Sequence, residues 1–210
     1  MRGGDFVFIN EDFMNKMTDV SRDITFIAEE NNYNDIDSLF NVYRDACVAK
    51  LLGYDKINKN KHGRDACDLS GNALESKVSS LRNASATFND TTESSAVSFK
   101  DKSVMIALSL WANFGSMICV AVGHNDEIGD FLLEKVKKHK ENKTIRSTQT
   151  LSFLTLVKKY GFKIVISEKY TKSEVLNILH KRFRKSFSDF SEENLLTREE
   201  WLKFKNEFYV

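Results

Sequence analysis

The chain has 210 residues, 41% of them hydrophobic and 29% charged, with sixteen phenylalanines and a formal net charge of +1. That length suits a single domain over residues 1–210, and that composition excludes a disordered chain. A net charge so close to zero means that a polyanion would have to be held by a local basic surface, not by the field of the whole molecule. The opening "MRGGDFVFINEDF" has no apolar leader core and no apolar run reaches membrane-spanning length, so a cytoplasmic protein without membrane contact is expected.

In chain order, "IDSLFNVYRDACVAKLL" (36–52) places Ile36, Leu39, Phe40, Tyr43, Cys47 and Leu51 at helical spacing. Asn34 or Asp35 is available as a cap and Gly53 as a terminator. "RDACDL" and "ALESKVSSL" flank Ser70, Gly71 and Asn72, which predicts two antiparallel strands joined by a short turn. "NASATFNDTTESSA" (83–96) is polar enough to read as a loop. "SVMIALSLWA" and "SMICVAVGH" read as two buried strands, completing a four-stranded sheet.

Helices are then expected over "DEIGDFLLEKVKKHK", "TQTLSFLTLVKKYG", "SEVLNILHKRFRK" and "REEWLKFKNEF", with "FKIVIS" a strand between the second and third. The expected fold is α/β (α+β), a central mixed sheet flanked by helices. Cys47, Cys67 and Cys119 are odd in number and widely spaced, which fits reduced thiols better than a disulfide framework or a zinc site. The chain contains no proline, so its turns must be built from Gly, Asn, Asp and Ser.

Chemistry concentrates in "KHGRDACDLSGNALESKVSSL" (61–81). Side chains alternate along a strand, so Glu75 and Lys77 share a face, and Asp65 on the partner strand can come back to meet them. Two carboxylates crowded together repel, and a proton or a divalent cation relieves that repulsion; magnesium suits oxygen-only ligands. A lysine beside them can orient or deprotonate water and offset charge on a phosphodiester transition state. Asp68 could replace Asp65, but its place beside the turn is more typical of a turn former.

Asp65 followed across a hairpin by Glu75-Ser76-Lys77 resembles the PD-(D/E)XK nuclease superfamily, which includes most type II restriction endonucleases. The resemblance covers residues 36–123 by order of elements, and "KHGRDACD" resembles the Gly-x-Asp entry to such sites. It departs in lacking a proline before Asp65. It implies a restriction-endonuclease-like core at 36–123, with residues 124–210 supplying DNA-binding and dimerisation elements. It further implies Mg2+ on Asp65 and Glu75, Lys77 as the catalytic lysine and Asp45 as an auxiliary acid. A homodimer cutting double-stranded DNA at a specific sequence is the implied activity. A structure-specific, repair or homing nuclease would share the site, and a non-catalytic DNA-binding regulator is the alternative from another class.

Cations and forked polar groups that could hold DNA follow from residue type. Lys61, Arg64, Arg82 and Asn83 bracket the hairpin. Lys137 and Lys140 lie in "EKVKKHKENK", and Arg146 and Gln149 lie in "RSTQT", where they suit guanine and adenine edges. "HKRFRK" (180–185) is a further basic cluster, serving either a phosphate backbone or its own helix end. Trp201, Phe204 and Phe208 form an apolar helical stripe suited to a core or a dimer contact.

Overall fold

A computed structural model describes residues 19, 23–27, 29–30, 36–57, 64–89, 91–113, 115–141 and 148–208. The chain divides into two compact units, residues 1–43 and 44–210. In the first, residues 23–27 and 29–30 are helical. The second contains the sheet and every side chain discussed below.

A mixed seven-stranded sheet runs through this unit, with helices on both faces. Helix α1 (Ile36–Leu51) leads to β1 (Lys56–Ile57), β2 (Ala66–Cys67) and β3 (Ala73–Ser80). After β4 (Ser85–Phe88) and the short helix α2 (Glu93–Ser98) come β5 (Val104–Asn113) and β6 (Ser116–Gly123). Helix α3 (Asp126–Glu141), β7 (Gln149–Ser152), β8 (Lys163–Ile166), α4 (Lys172–Phe183), β9 (Leu195–Leu196) and α5 (Arg198–Phe208) complete the order. The large sheet has the order β1-β2-β3-β5-β6-β8-β9, and β4 pairs with β7 in a separate two-stranded sheet.

β3 and β5 are parallel, because α2 carries the chain back before β5 begins; β6 lies between β5 and β8 and is antiparallel to both. The continuous apolar runs of β5 and β6 follow from burial on both faces. Ile106, Leu108 and Leu110 enter one core with Phe153, Leu132, Leu179 and Phe187, while Met105, Ala107 and Trp111 enter the other with Val48, Leu52, Leu74 and Trp201. All three cysteines are free thiols, and burial pushes the Cys119 thiol up.

Two stretches depart from the sequence expectation. The presumed loop 83–96 contains β4, whose Ala86 and Phe88 are buried in alternation with Ser85 and Thr87. It also contains the start of α2, where Thr92 and Ser95 form a reciprocal capping box. The presumed helix "TQTLSFLTLVKKYG" is divided. Its first part is β7, with Leu151 buried between exposed Thr150 and Ser152, and its second is a π-helical turn, Thr155–Lys159. Phe153, Leu156, Val157 and Tyr160 are all buried, and that helical spacing masked the strand preceding them.

The far end of the chain closes over the end of α1. Trp201 is fully buried and donates to the Leu52 carbonyl, and Lys205 donates to the Gly53 carbonyl at 2.7 Å. Gly53 has φ +69, a left-handed conformation that glycine adopts without strain, and a Cβ there would press on the end of the Leu202 side chain. The Lys205 ammonium also rests on the Tyr54 ring and pairs with Asp68 at 3.2 Å. Burial alone would raise the Asp68 carboxyl; its bonds from Asn72 and Lys205 outweigh that and hold it below the ordinary range.

Asp68→Ala should therefore cost about 3 kcal/mol at neutral pH, since it strands a buried ammonium. A depressed carboxyl contributes stability above its unfolded value and loses it as pH falls through the folded one. The gap between wild type and Asp68→Ala in urea melts should thus close as pH drops below about 4; a gap unchanged from pH 7 to pH 3 would rule out the ion pair as its source.

Candidate active site

β2 and β3 pair with Ala66 opposite Leu74 and Cys67 opposite Ala73, which sets Asp65, just before β2, across from Glu75. The Asp65 amide donates to the Leu74 carbonyl, and the Asp65 carboxylate accepts from the Ser76 amide at 2.6 Å. Lys77 Nζ bonds Glu75 Oε1 at 2.6 Å, as their shared face requires. Asp45, in the third turn of α1, interacts electrostatically with Asp65, Glu75 and Lys77. Asp65, Glu75 and Lys77 thus gather at the hairpin, and Asp45 of the adjoining helix is near enough for its charge to act on them.

β3 itself is held by a buried polar relay. Trp111 Nε1 donates to Ser109 Oγ at 2.9 Å, and Ser109 Oγ donates to the Lys77 carbonyl at 3.2 Å.

The acids are in conflict. Burial, then the charges of Glu75 and Asp45, push the Asp65 carboxyl up to about 7, and the Ser76 amide and Lys77 offset only part of this. Burial likewise raises Asp45, against the Ser76 hydroxyl and Lys77. That hydroxyl is buried and lacks a hydrogen bond of full geometry, so its help to Asp45 is weak.

Arg64 has a place that spacing did not indicate. Expected as a DNA clamp, it turns inward: Nη1 bonds Glu75 Oε2 at 3.0 Å and Nη2 bonds Ser98 Oγ at 2.6 Å, while its guanidinium lies 4.3 Å from the Phe99 ring centroid. Lys77 lies 5.5 Å from the Phe88 centroid, and Phe88 and Phe99 meet edge to face. Both cations therefore rest on one aromatic pair, whose ring faces attract them. With all groups ionised, three carboxylates against Arg64 and Lys77 leave a net charge of −1.

The residues fit a hard divalent cation in donor type: two crowded carboxylates, Asp65 and Glu75, whose repulsion such an ion would relieve. Among the described residues no three acidic, histidine or cysteine side chains stand in a ready-made ligand cluster, so water and substrate oxygens would supply the remaining ligands, as magnesium favours.

Asp68 lies apart from this group. Its carboxylate accepts from the Ser70 and Asn72 amides and pairs with Lys205, the behaviour of a turn former. Arg82 and Asn83 are exposed in the turn after β3. Lys137 is exposed on α3, and Lys140 pairs with Glu93 at the start of α2. Gln149 stands on β7 opposite Phe88, with its amide 3.3 Å from His139 Nε2. Lys61 and Arg146 lie outside the described residues. Ser98, Phe88 and Phe99 were missed because each reaches the hairpin through tertiary packing alone.

Asp65→Asn keeps an acceptor for the Ser76 amide and removes the charge. An acid raised in the fold favours its neutral form there, so the wild type loses stability as pH rises from about 4 through about 7. Asp65→Asn should melt close to wild type at pH 4 and higher at pH 8, and calcium at pH 8 should raise the wild-type melting temperature but not the variant's. Parallel melting curves across this range would show that Asp65 is not under charge strain. A scan against protein-family models and searches of curated proteins and of solved structures each return no match for this chain.

Proposed function

We propose that the chain is a magnesium-dependent DNA endonuclease of the PD-(D/E)XK type, cutting phosphodiester bonds in double-stranded DNA. The observation that carries this reading is the meeting of Asp65, Glu75, Asp45 and Lys77 at one hairpin, with Asp65 pushed up to about 7 by burial and by its acidic neighbours. A fold gains nothing in stability from such crowding, and sites that do chemistry collect it. Over 36–123 the helix, the hairpin and the two core strands that the resemblance names occur in its order, with β4 and α2 between the hairpin and the core strands.

Asp65 and Glu75 would hold the cation, which supplies charge neutralisation at a phosphate. Lys77, kept in place by Glu75 and the Phe88 ring, orients the attacking water and offsets the negative charge that grows on the phosphoryl oxygens. Arg64 fixes the other oxygen of Glu75 to α2, so the carboxylate has one set orientation. β7 sets Gln149 opposite Phe88 of β4, the residue whose ring Lys77 faces, a position from which base edges near the cut could be read.

A second reading is favoured by the same two bonds to Glu75. Arg64 and Lys77 already satisfy that carboxylate without a metal, as they would in a binding protein whose hairpin is structural.

Incubation with unmethylated plasmid and magnesium separates the two. The wild type should give nicked or discrete linear products, and Glu75→Gln and Lys77→Ala should each reduce the rate at least a hundredfold while keeping the wild-type circular dichroism and DNA affinity. Absence of cleavage by the wild type across duplex, branched and single-stranded substrates would leave the binding reading in its place.

A further inference from the structure

Two basic segments that are 100 residues apart in the chain form one surface. Arg182, in the last turn of α4, donates through Nε to the Leu81 carbonyl at 2.9 Å and through Nη2 to the Arg82 carbonyl at 2.6 Å. This fixes the turn after β3 against the end of α4, and Arg82, Lys181, Arg184 and Lys185 are all exposed around the junction.

These cations differ from a set of paired lysines elsewhere among the described residues. Lys100, Lys138, Lys140, Lys158 and Lys172 each pair with a carboxylate. Among the described residues none of Arg82, Lys181, Arg184 and Lys185 makes an ion pair. Like charges gathered without acids repel, which favours an external anion. The α4 macrodipole accounts for cations in its own last turn but not for Arg82, which belongs to another element.

Backbone strain collects at the same junction. Among the described residues the two non-glycine positions with positive φ are Ala84 (φ 47) and Arg184 (φ 50, ψ −129), each two residues from a partner in the Arg182 contact. The second conformation is one that glycine adopts freely and arginine rarely does, so a charged side chain is kept at a cost to the fold.

We infer that Arg82, Lys181, Arg184 and Lys185 form a contact surface for the phosphate backbone of duplex DNA; the choice of partner rests on the nuclease reading. The turn continues directly from β3, and Lys77 precedes Leu81 by four residues, roughly 13 Å along an extended strand. A backbone laid over this surface therefore reaches the site within about four nucleotides at 3.4 Å per step.

The test is fluorescence anisotropy of the full chain on a labelled duplex, at several salt concentrations and with calcium in place of magnesium. Combining Arg82→Ala, Lys181→Ala and Lys185→Ala should weaken binding at least tenfold and flatten the slope of log K against log salt by about 2.7, at about 0.9 per lost phosphate contact. Arg184→Gly should weaken binding several-fold while raising the melting temperature, a pairing that general damage to the fold would not give. If the triple variant is unstable, Lys185→Glu reads the same slope.

Wild-type affinity and slope in these variants, from a protein that cleaves DNA, would overturn the surface and leave the nuclease reading intact. Binding that depends on the patch in a protein that never cleaves would sink the nuclease reading and uphold the surface. A wild type that does not bind duplex DNA would overturn both.

Discussion

The register between β2 and β3 is the constraint on which the site depends. Ala66 opposite Leu74 puts Asp65 across from Glu75, and the bond from the Ser76 amide to Asp65 locks the pairing. Side chains alternate with a period of two, so a slip of one residue would send Glu75 and Lys77 to the α1 face and bring Leu74 and Val78 out among charges. Leu74, fully buried beside Val48 and Leu52, makes that slip costly. The hydrophobic effect on one face of β3 thereby fixes the chemistry on the other.

The second determinant is how the charges are shared. Asp65 and Asp45 are penalised by burial and by acidic neighbours, whereas Glu75 is gripped by Arg64 and Lys77. The cations sit on Phe88 and Phe99, and the rings belong to β4 and to the residue that caps the C-terminus of α2. The segment between β3 and β5 is therefore more than a connection. It returns the chain for a parallel strand and supplies the wall against which both cations are held.

Elsewhere charge serves the fold. Lys205 and Asp68 tie α5 to the hairpin turn on the side away from Glu75, and Arg182 ties α4 to the turn beyond β3. The hairpin is thus anchored at both ends by residues from the last forty of the chain, so a site built from residues 45–77 relies on the C-terminal elements for its rigidity. No helix among the described residues is long and apolar enough to cross a membrane.

The sequence by itself determined those features that depend on local pattern. The apolar runs of β5 and β6, the face shared by Glu75 and Lys77, the turn role of Asp68 and the helices α1, α3, α4 and α5 are all legible from periodicity and turn chemistry, because near neighbours in the chain govern them. Tertiary structure alone decided the rest. β4 and β7 are too short to be told from a loop and a helix until they pair with each other, and β1 and β9, two residues each, exist only as additions to sheet edges. Arg64 became a partner of Glu75 and Ser98, not a surface cation, because a contact across 34 residues leaves no periodic trace. The strain on Asp65 likewise arises from burial and from charges on two other elements, β3 and α1, quantities that exist only once the chain has closed around them.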